Sequence, residues 1–154
     1  MNPLETQNQE IIKIVTKSDQ IEVPKKATSG SAGYDLRADI EEPITLEPGA
    51  LTKVPTGIFI SLPSPEYVAL LFARSGLAAK HGIALTNGVG VIDSDYRGEI
   101  MVLLCNLSKV SYTINPQERI AQMIVMPISN LATLKVASLD ETLRNDGGFG
   151  STGK

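Results

Sequence analysis

Short apolar runs alternate with clusters of turn-forming residues along most of this chain. The runs are IIKIV at 11–15, GIFISL at 57–62, YVALLFA at 67–73, EIMVLLCNL at 99–107, YTIN at 112–115 and RIAQMIVMPI at 119–128. Their lengths suit strands better than helices. Nine prolines and thirteen glycines punctuate them, as in Glu47-Pro48-Gly49, Leu62-Pro63-Ser64-Pro65 and Asn115-Pro116, and such dipeptides mark turns. Only Ser75 to Lys80 has a faintly helical pattern. The run from Arg119 to Ile124 alternates, which puts Arg119 on one strand face with Ala121 and turns Gln122 to the other unless a bulge intervenes. Many short strands with frequent turns, and no repeating βαβ pattern, predict an all-β fold: a sandwich, barrel or jelly roll.

At 154 residues the chain fits one domain. Residues 1–10, MNPLETQNQE, are polar and read as a flexible segment. Residues 11–143 form the expected β domain. Residues 144–154, RNDGGFGSTGK, hold four glycines and one aromatic ring, Phe149, and read as a mobile lid. The N-terminal residues have neither the basic start nor the apolar stretch of a secretory signal, and no run is long enough to span a bilayer, so the expected compartment is the cytoplasm.

Composition narrows the chemistry. One cysteine, Cys105, and one histidine, His81, leave no disulfide within the chain and no cluster of nitrogen and sulfur ligands for zinc. Any metal should be a hard one held by oxygens. A net charge of -3 argues against broad binding to a nucleic-acid backbone. A small anionic substrate needs only a few arginines brought together locally.

Four segments and the tail carry candidate chemistry. In Ala32-Gly-Tyr-Asp-Leu-Arg-Ala38 an aspartate, Asp35, stands at a strand entrance; a solvated charge pair beside a strand reads the same way. Arg74-Ser-Gly-Leu-Ala78 puts a guanidinium, a hydroxyl and a bare backbone in succession, which suits a phosphate as well as it suits a strand-ending turn. Asn87 to Ile100, NGVGVIDSDYRGEI, opens on Asn-Gly, a strong hairpin signal, and then crowds Asp93, Asp95 and Tyr96 into one short turn. Two carboxylates that close repel one another unless a cation or a proton-transfer task offsets the cost; a solvated acidic turn is the alternative reading. In the segment from Arg119, an ordinary exposed strand arginine is as natural a reading as a ligand. Gly148-Phe-Gly-Ser-Thr-Gly153-Lys154 matches most of a Walker A loop, but the final hydroxyl residue and the helix that such a loop introduces do not follow.

Together, AGYDLRA, RSGLA, NGVGVIDSDYRG, RIAQMI and RNDGGFGSTG resemble, in order, the five motifs of the trimeric dUTPases. The resemblance implies a jelly-roll-like β subunit and a homotrimer whose active sites lie between subunits. The implied reaction is hydrolysis of dUTP to dUMP and pyrophosphate with Mg²⁺, which limits uracil in DNA and supplies dUMP for dTMP synthesis. It implies Asp93 as the general base for a water that attacks the α-phosphorus, and Tyr96 beneath the deoxyribose. Asn87, with main-chain groups of Val91, Ile92, Asp93 and Met101, would read uracil in a tight hairpin. Arg74, Ser75, Gly76 and Gln122 would hold phosphates, and Arg144, Gly150, Ser151 and Thr152 would arrive on the lid with Phe149 stacked over the base. Asp35 would steady Mg²⁺ through its waters. The lid departs from the family pattern at Asn145, where glycine is common; asparagine is the next most tolerant of a left-handed backbone. The closest enzyme rival is a dCTP deaminase, which shares the fold but attacks the base; the Asp-Ser-Asp-Tyr turn and the Gly-Phe-Gly tail favour the dUTPase. A nucleotide-sensing protein without turnover is the rival from another class.

Overall fold

The computed structural model describes residues 10–148. Each of the six apolar runs carries a strand. In chain order the strands are β1 (Lys13–Thr16), β2 (Tyr34–Arg37), β3 (Ile44–Leu46), β4 (Leu51–Pro55), β5 (Ile58–Ser61), β6 (Tyr67–Phe72), β7 (Ile83–Leu85), β8 (Gly90–Ile92), β9 (Met101–Asn106), β10 (Tyr112–Ile114) and β11 (Arg119–Pro127). One helix, α1 (Ser75–His81), occupies the stretch that had looked helical. The pairings are antiparallel and build a four-stranded sheet β2-β11-β6-β8, a three-stranded sheet β4-β9-β7 and two-stranded ribbons β1-β5 and β10-β3. The all-β expectation holds, with the small packed sheets of a jelly-roll-like domain.

The core follows from the alternation. In β5 the burial pattern runs buried, intermediate, buried, intermediate, because Ile58 and Ile60 face inward while Phe59 and Ser61 do not. Leu36, Leu46, Leu71, Ile83, Ile100, Leu104, Ile114, Ile120 and Met123 join them between the sheets, each contributing roughly 1.5–3 kcal/mol of transfer free energy. Asn106, the most deeply buried polar side chain among the described residues, is satisfied: its amide donates to the carbonyls of Leu46 at 2.9 Å and Val110 at 2.8 Å, and its oxygen accepts from the Ser108 amide at 2.9 Å. Burial without those partners would be costly.

Asn87-Gly88 does not make a hairpin, contrary to the sequence reading. The strands on either side of it, β7 and β8, are not partners: β7 pairs with β9, and β8 pairs with β6 in the other sheet. The turn therefore carries the chain from one sheet to the next. Beyond β11 the chain from 128 to 148 has no regular element, and its apolar side chains Leu131, Leu134, Leu139 and Leu143 are almost wholly exposed. Among the described residues no helix is long and apolar enough to cross a membrane.

Candidate active site

Two recesses collect the candidate residues. The first lies where β2, the end of β6 and the start of β11 converge. The strand order puts β11 between the other two, so that Gln122 sits opposite Asp35 on one side and Phe72 on the other. A bulge in β11 sets which side chains enter. The register against β2 shifts between Arg119 and Ala121, and the successive residues Ile120 and Ala121 are both buried. The extra residue reverses the alternation that a regular strand would impose, so Arg119 and Gln122 line the same recess, together with Asp35, Arg74, Ser75 and Gly76.

Charges organise this recess of about 270 Å³. Oδ1 of Asp35 lies 3.3 Å from Nε of Arg74, and Oδ2 lies 3.0 Å from Nη1 of Arg119. Nη1 of Arg74 also donates to the Arg119 carbonyl at 3.4 Å. Two guanidiniums around one carboxylate leave a net positive charge, and their planar forks suit phosphate oxygens. Gln122 donates through Nε2 to the Ala73 carbonyl at 3.1 Å, which fixes its amide. Gly33 permits that placement, since a Cβ there would come within 2.7 Å of the Gln122 Oε1.

Among the described residues Asp35 is the only carboxylate lining this recess, and both of its oxygens already face guanidiniums. Among the described residues no three His, Cys, Asp or Glu side chains are grouped to hold a metal. Such a donor set does not strip a divalent ion of its water. It fits a hard ion that arrives on phosphates and keeps most of its hydration.

The second recess, about 260 Å³, lies under the turn that follows β8. Asn87, Val91, Ile92, Asp93, Tyr96 and Met101 line it over an apolar floor of Leu71 and Leu103. A few polar groups around an apolar floor is the usual form of a small-molecule site. The Tyr96 hydroxyl donates to the Glu99 carbonyl at 3.1 Å, and the Tyr96 amide donates to the Asp93 carbonyl at 3.1 Å. Gly98 is required here, because any side chain would collide with the Tyr96 phenol. The Asp93 side chain is exposed, and the ion pairs among the described residues involve Asp35 and Asp39 but not Asp93.

The structure thus brings Asp35, Arg74, Ser75, Gly76 and Gln122 into one recess, and Asn87, Val91, Ile92, Asp93, Tyr96 and Met101 into another. No residue lines both. Arg144 belongs to neither; its Nε donates to the Gly147 carbonyl at 2.7 Å within a tight turn. Phe149, Gly150, Ser151 and Thr152 lie outside the described residues. Asn145 does adopt the left-handed conformation, with φ 44°. Sequence reasoning did not place Arg119, Leu71 or Leu103 in the site. The first was hidden by the bulge, and the two leucines read as ordinary core.

The chain is similar to known proteins over most of its length. A family model described as dUTPase matches residues 19–153. A deoxyuridine 5'-triphosphate nucleotidohydrolase from Paraburkholderia phymatum is 48% identical over 143 residues, 93% of this chain and 97% of that protein. One from Finegoldia magna is 53% identical over 142 residues, 92% of this chain and 98% of that protein. Among solved structures, the dUTPase of Staphylococcus bacteriophage 80alpha with dUpNHpp superimposes with a TM-score of 0.82 at 26% identity, covering 94% of this chain and 99% of that one.

Proposed function

We propose how this chain hydrolyses dUTP from one premise: it belongs to the dUTPase family. The observation that carries the mechanism is the division of groups between the two recesses. One is cationic and shaped for phosphates; the other sets Asn87, Asp93 and Tyr96 over an apolar floor.

In this reading uracil enters the second recess. The Asn87 amide and main-chain groups of Val91, Ile92, Asp93 and Met101 meet its polar edge, while Leu71 and Leu103 support its face. A site that hydrogen-bonds a base discriminates strongly, because a wrong base leaves buried partners unmatched. Tyr96 lies under the deoxyribose and leaves no room for a 2′-hydroxyl. The triphosphate runs into a cationic recess, where Arg74, Ser75, Gly76 and Gln122 bind its oxygens and Arg119 holds Asp35 in place. Asp93 removes a proton from water as the water oxygen bonds to the α-phosphorus. The bond from that phosphorus to the bridging oxygen breaks, and the electron pair leaves with pyrophosphate. Mg²⁺ carried on the phosphates would neutralise the charge that develops on their oxygens, with Asp35 steadying its waters. Arg144, Gly150, Ser151 and Thr152 close over the phosphates as a lid, and Phe149 stacks on the base.

Among the described residues the two recesses share none, and the irregular 128–148 segment exposes four leucines. Both features support a homotrimer in which the cationic recess of one copy meets the base recess of another and the tail of a third. We place the enzyme in the cytoplasm, where its product would supply dTMP synthesis and its action would limit uracil in DNA. The direct test is pyrophosphate release from dUTP, UTP, dTTP and dCTP, with Mg²⁺ and with excess chelator. Turnover confined to dUTP and lost with chelator is expected. Equal turnover of UTP would sink the role given to Tyr96, ammonia release from dCTP would indicate a deaminase, and full activity in a sedimenting monomer would sink the shared site.

A further inference from the structure

Arg119 is held on only one side. It lines the cationic recess, and with Asp35 it also lines a second hollow of about 200 Å³ bounded by Arg37, Thr56 and Gln117. Its side chain is 42% exposed. Packing therefore leaves it room to swing away from the phosphate side, and the path of its own backbone, together with the pair to Asp35, sets where the guanidinium points.

That path begins in a strained turn. The Glu118 amide donates to the Asn115 carbonyl at 3.1 Å, closing a turn with Pro116 second and Gln117 third. Gln117 has φ 60°, a left-handed conformation that such a turn normally assigns to glycine. Strain of this kind persists only where surrounding contacts over-determine it. Here the Gln117 amide donates to the Ala38 carbonyl at 2.9 Å, and Nη1 of Arg37 donates to the Gln117 carbonyl at 2.8 Å. Arg37 stands directly opposite Arg119 across the β2-β11 ladder. Two like charges so placed repel one another, and the structure sends them to different acceptors: Arg37 to the turn, Arg119 to Asp35.

We propose that Arg37 is a positioning residue for dUTP hydrolysis: by gripping the Gln117 carbonyl it latches the turn and sets Arg119 against Asp35 and Arg74. Both ends of Arg119 are used, since its guanidinium meets Asp35 and its carbonyl accepts from Arg74. A displacement of the turn therefore passes to the whole phosphate recess, and small misplacements cost large factors in rate. The proposal rests on the catalytic reading above.

The test compares kcat and KM for dUTP with Mg²⁺, and the melting temperature, across the full chain and its Arg37→Ala, Arg37→Lys, Arg119→Ala and Arg37→Ala/Arg119→Ala variants. Arg37→Ala should lower kcat by about tenfold or more while melting within about 3 °C of the parent. Arg37→Lys should recover part of the loss, since an ammonium can donate one bond to the same carbonyl. The double variant should be no slower than Arg119→Ala alone, because the latch acts through that arginine. Parental kcat in Arg37→Ala, independent multiplication of the two losses, or a loss that follows a collapse in melting temperature would each overturn the latch. A parent chain that releases no pyrophosphate from dUTP would remove the catalytic reading beneath it.

Discussion

The cationic recess is closed by its own charges, and the recess under the turn after β8 is open. Asp35 is held by Arg74 and Arg119 with its side chain only 19% exposed, whereas Asp93 projects from an exposed turn and joins none of the ion pairs among the described residues. Under the proposed mechanism the contrast separates two tasks. Groups that receive a fixed pattern of negative charge work best when already oriented, because no reorganisation is then needed as charge develops. A group that must accept a proton needs free lone pairs and access to water. A carboxylate whose two oxygens already face guanidiniums leaves little room for a water beside them, and a carboxylate on an open turn is a poor clamp.

The largest expected effect comes from removing the open carboxylate. Asp93→Asn keeps the shape of the turn but not the proposed base, so kcat should fall by about 10²–10⁴-fold while affinity for dUpNHpp stays within a few-fold of the parent. Steady-state turnover and calorimetric titration measure the two quantities. Substantial residual turnover would mean that another group activates the water. Asp35→Asn should act differently. With one negative charge gone, Arg74 and Arg119 repel and lose their shared anchor, so kcat should fall by about 10–100-fold, and stability by about 1 kcal/mol because the pairs are partly exposed. A fall in kcat at Asp35 as deep as that at Asp93, with stability untouched, would erase the distinction between the two recesses.

The same contrast explains what could be read from the sequence. The strands of the longer apolar runs were legible because burial on one face imposes a pattern on composition. Strands β3, β7 and β8 lie outside those runs, because three residues give periodicity little room to show; β10, equally short, was legible only within the run YTIN. Asn87-Gly88 announces a reversal but does not say which strand the chain will pair with next, and tertiary packing sent β7 and β8 to different sheets. Arg119 escaped because the bulge that turns it beside Gln122 leaves no local signature: Arg-Ile-Ala-Gln alternates well enough to pass for a regular strand. The recess under the turn after β8 was better marked, because crowding Asp93, Asp95 and Tyr96 has a cost that a purely structural turn would avoid.

Bracing of the cationic side extends to Tyr112. Its hydroxyl donates to the Glu118 carboxylate, while the other Glu118 oxygen accepts from the Asn115 amide at 2.9 Å, so the turn before Arg119 is tied to β10. Burial, and then the bond to Glu118, push the Tyr112 phenol up to about 12 from its ordinary 10.0. The folded state therefore favours the protonated phenol. Its contribution is fully present below about pH 10 and is lost as pH rises towards about 12. Tyr112→Phe should cost about 1 kcal/mol near neutrality and should flatten this alkaline loss in denaturant titrations at pH 9, 10 and 11. An unchanged alkaline profile would mean that the phenol is not held in this way.

The smallest expected effect compares the two turns at the level of one backbone angle. Each recess is approached through a residue in the left-handed region: Gly88, with φ 69°, on the open side, and Gln117, with φ 60°, on the braced side. Glycine occupies that region freely, whereas glutamine is strained there by roughly 1–2 kcal/mol. Gln117→Gly should relieve the strain while keeping the carbonyl that Arg37 grips. The relief is offset by the greater freedom of glycine in the unfolded chain, roughly 0.5–1 kcal/mol, so the net gain should be about 0.5 kcal/mol with turnover unchanged. Gly88→Ala should have the opposite sign and destabilise, because alanine cannot enter the same angle without strain. Denaturant midpoints for the two variants decide the matter. If Gln117→Gly instead melts earlier than the parent, the glutamine side chain contributes more in its hollow than its backbone costs, and the braced side is held by that side chain as well as by the Arg37 latch.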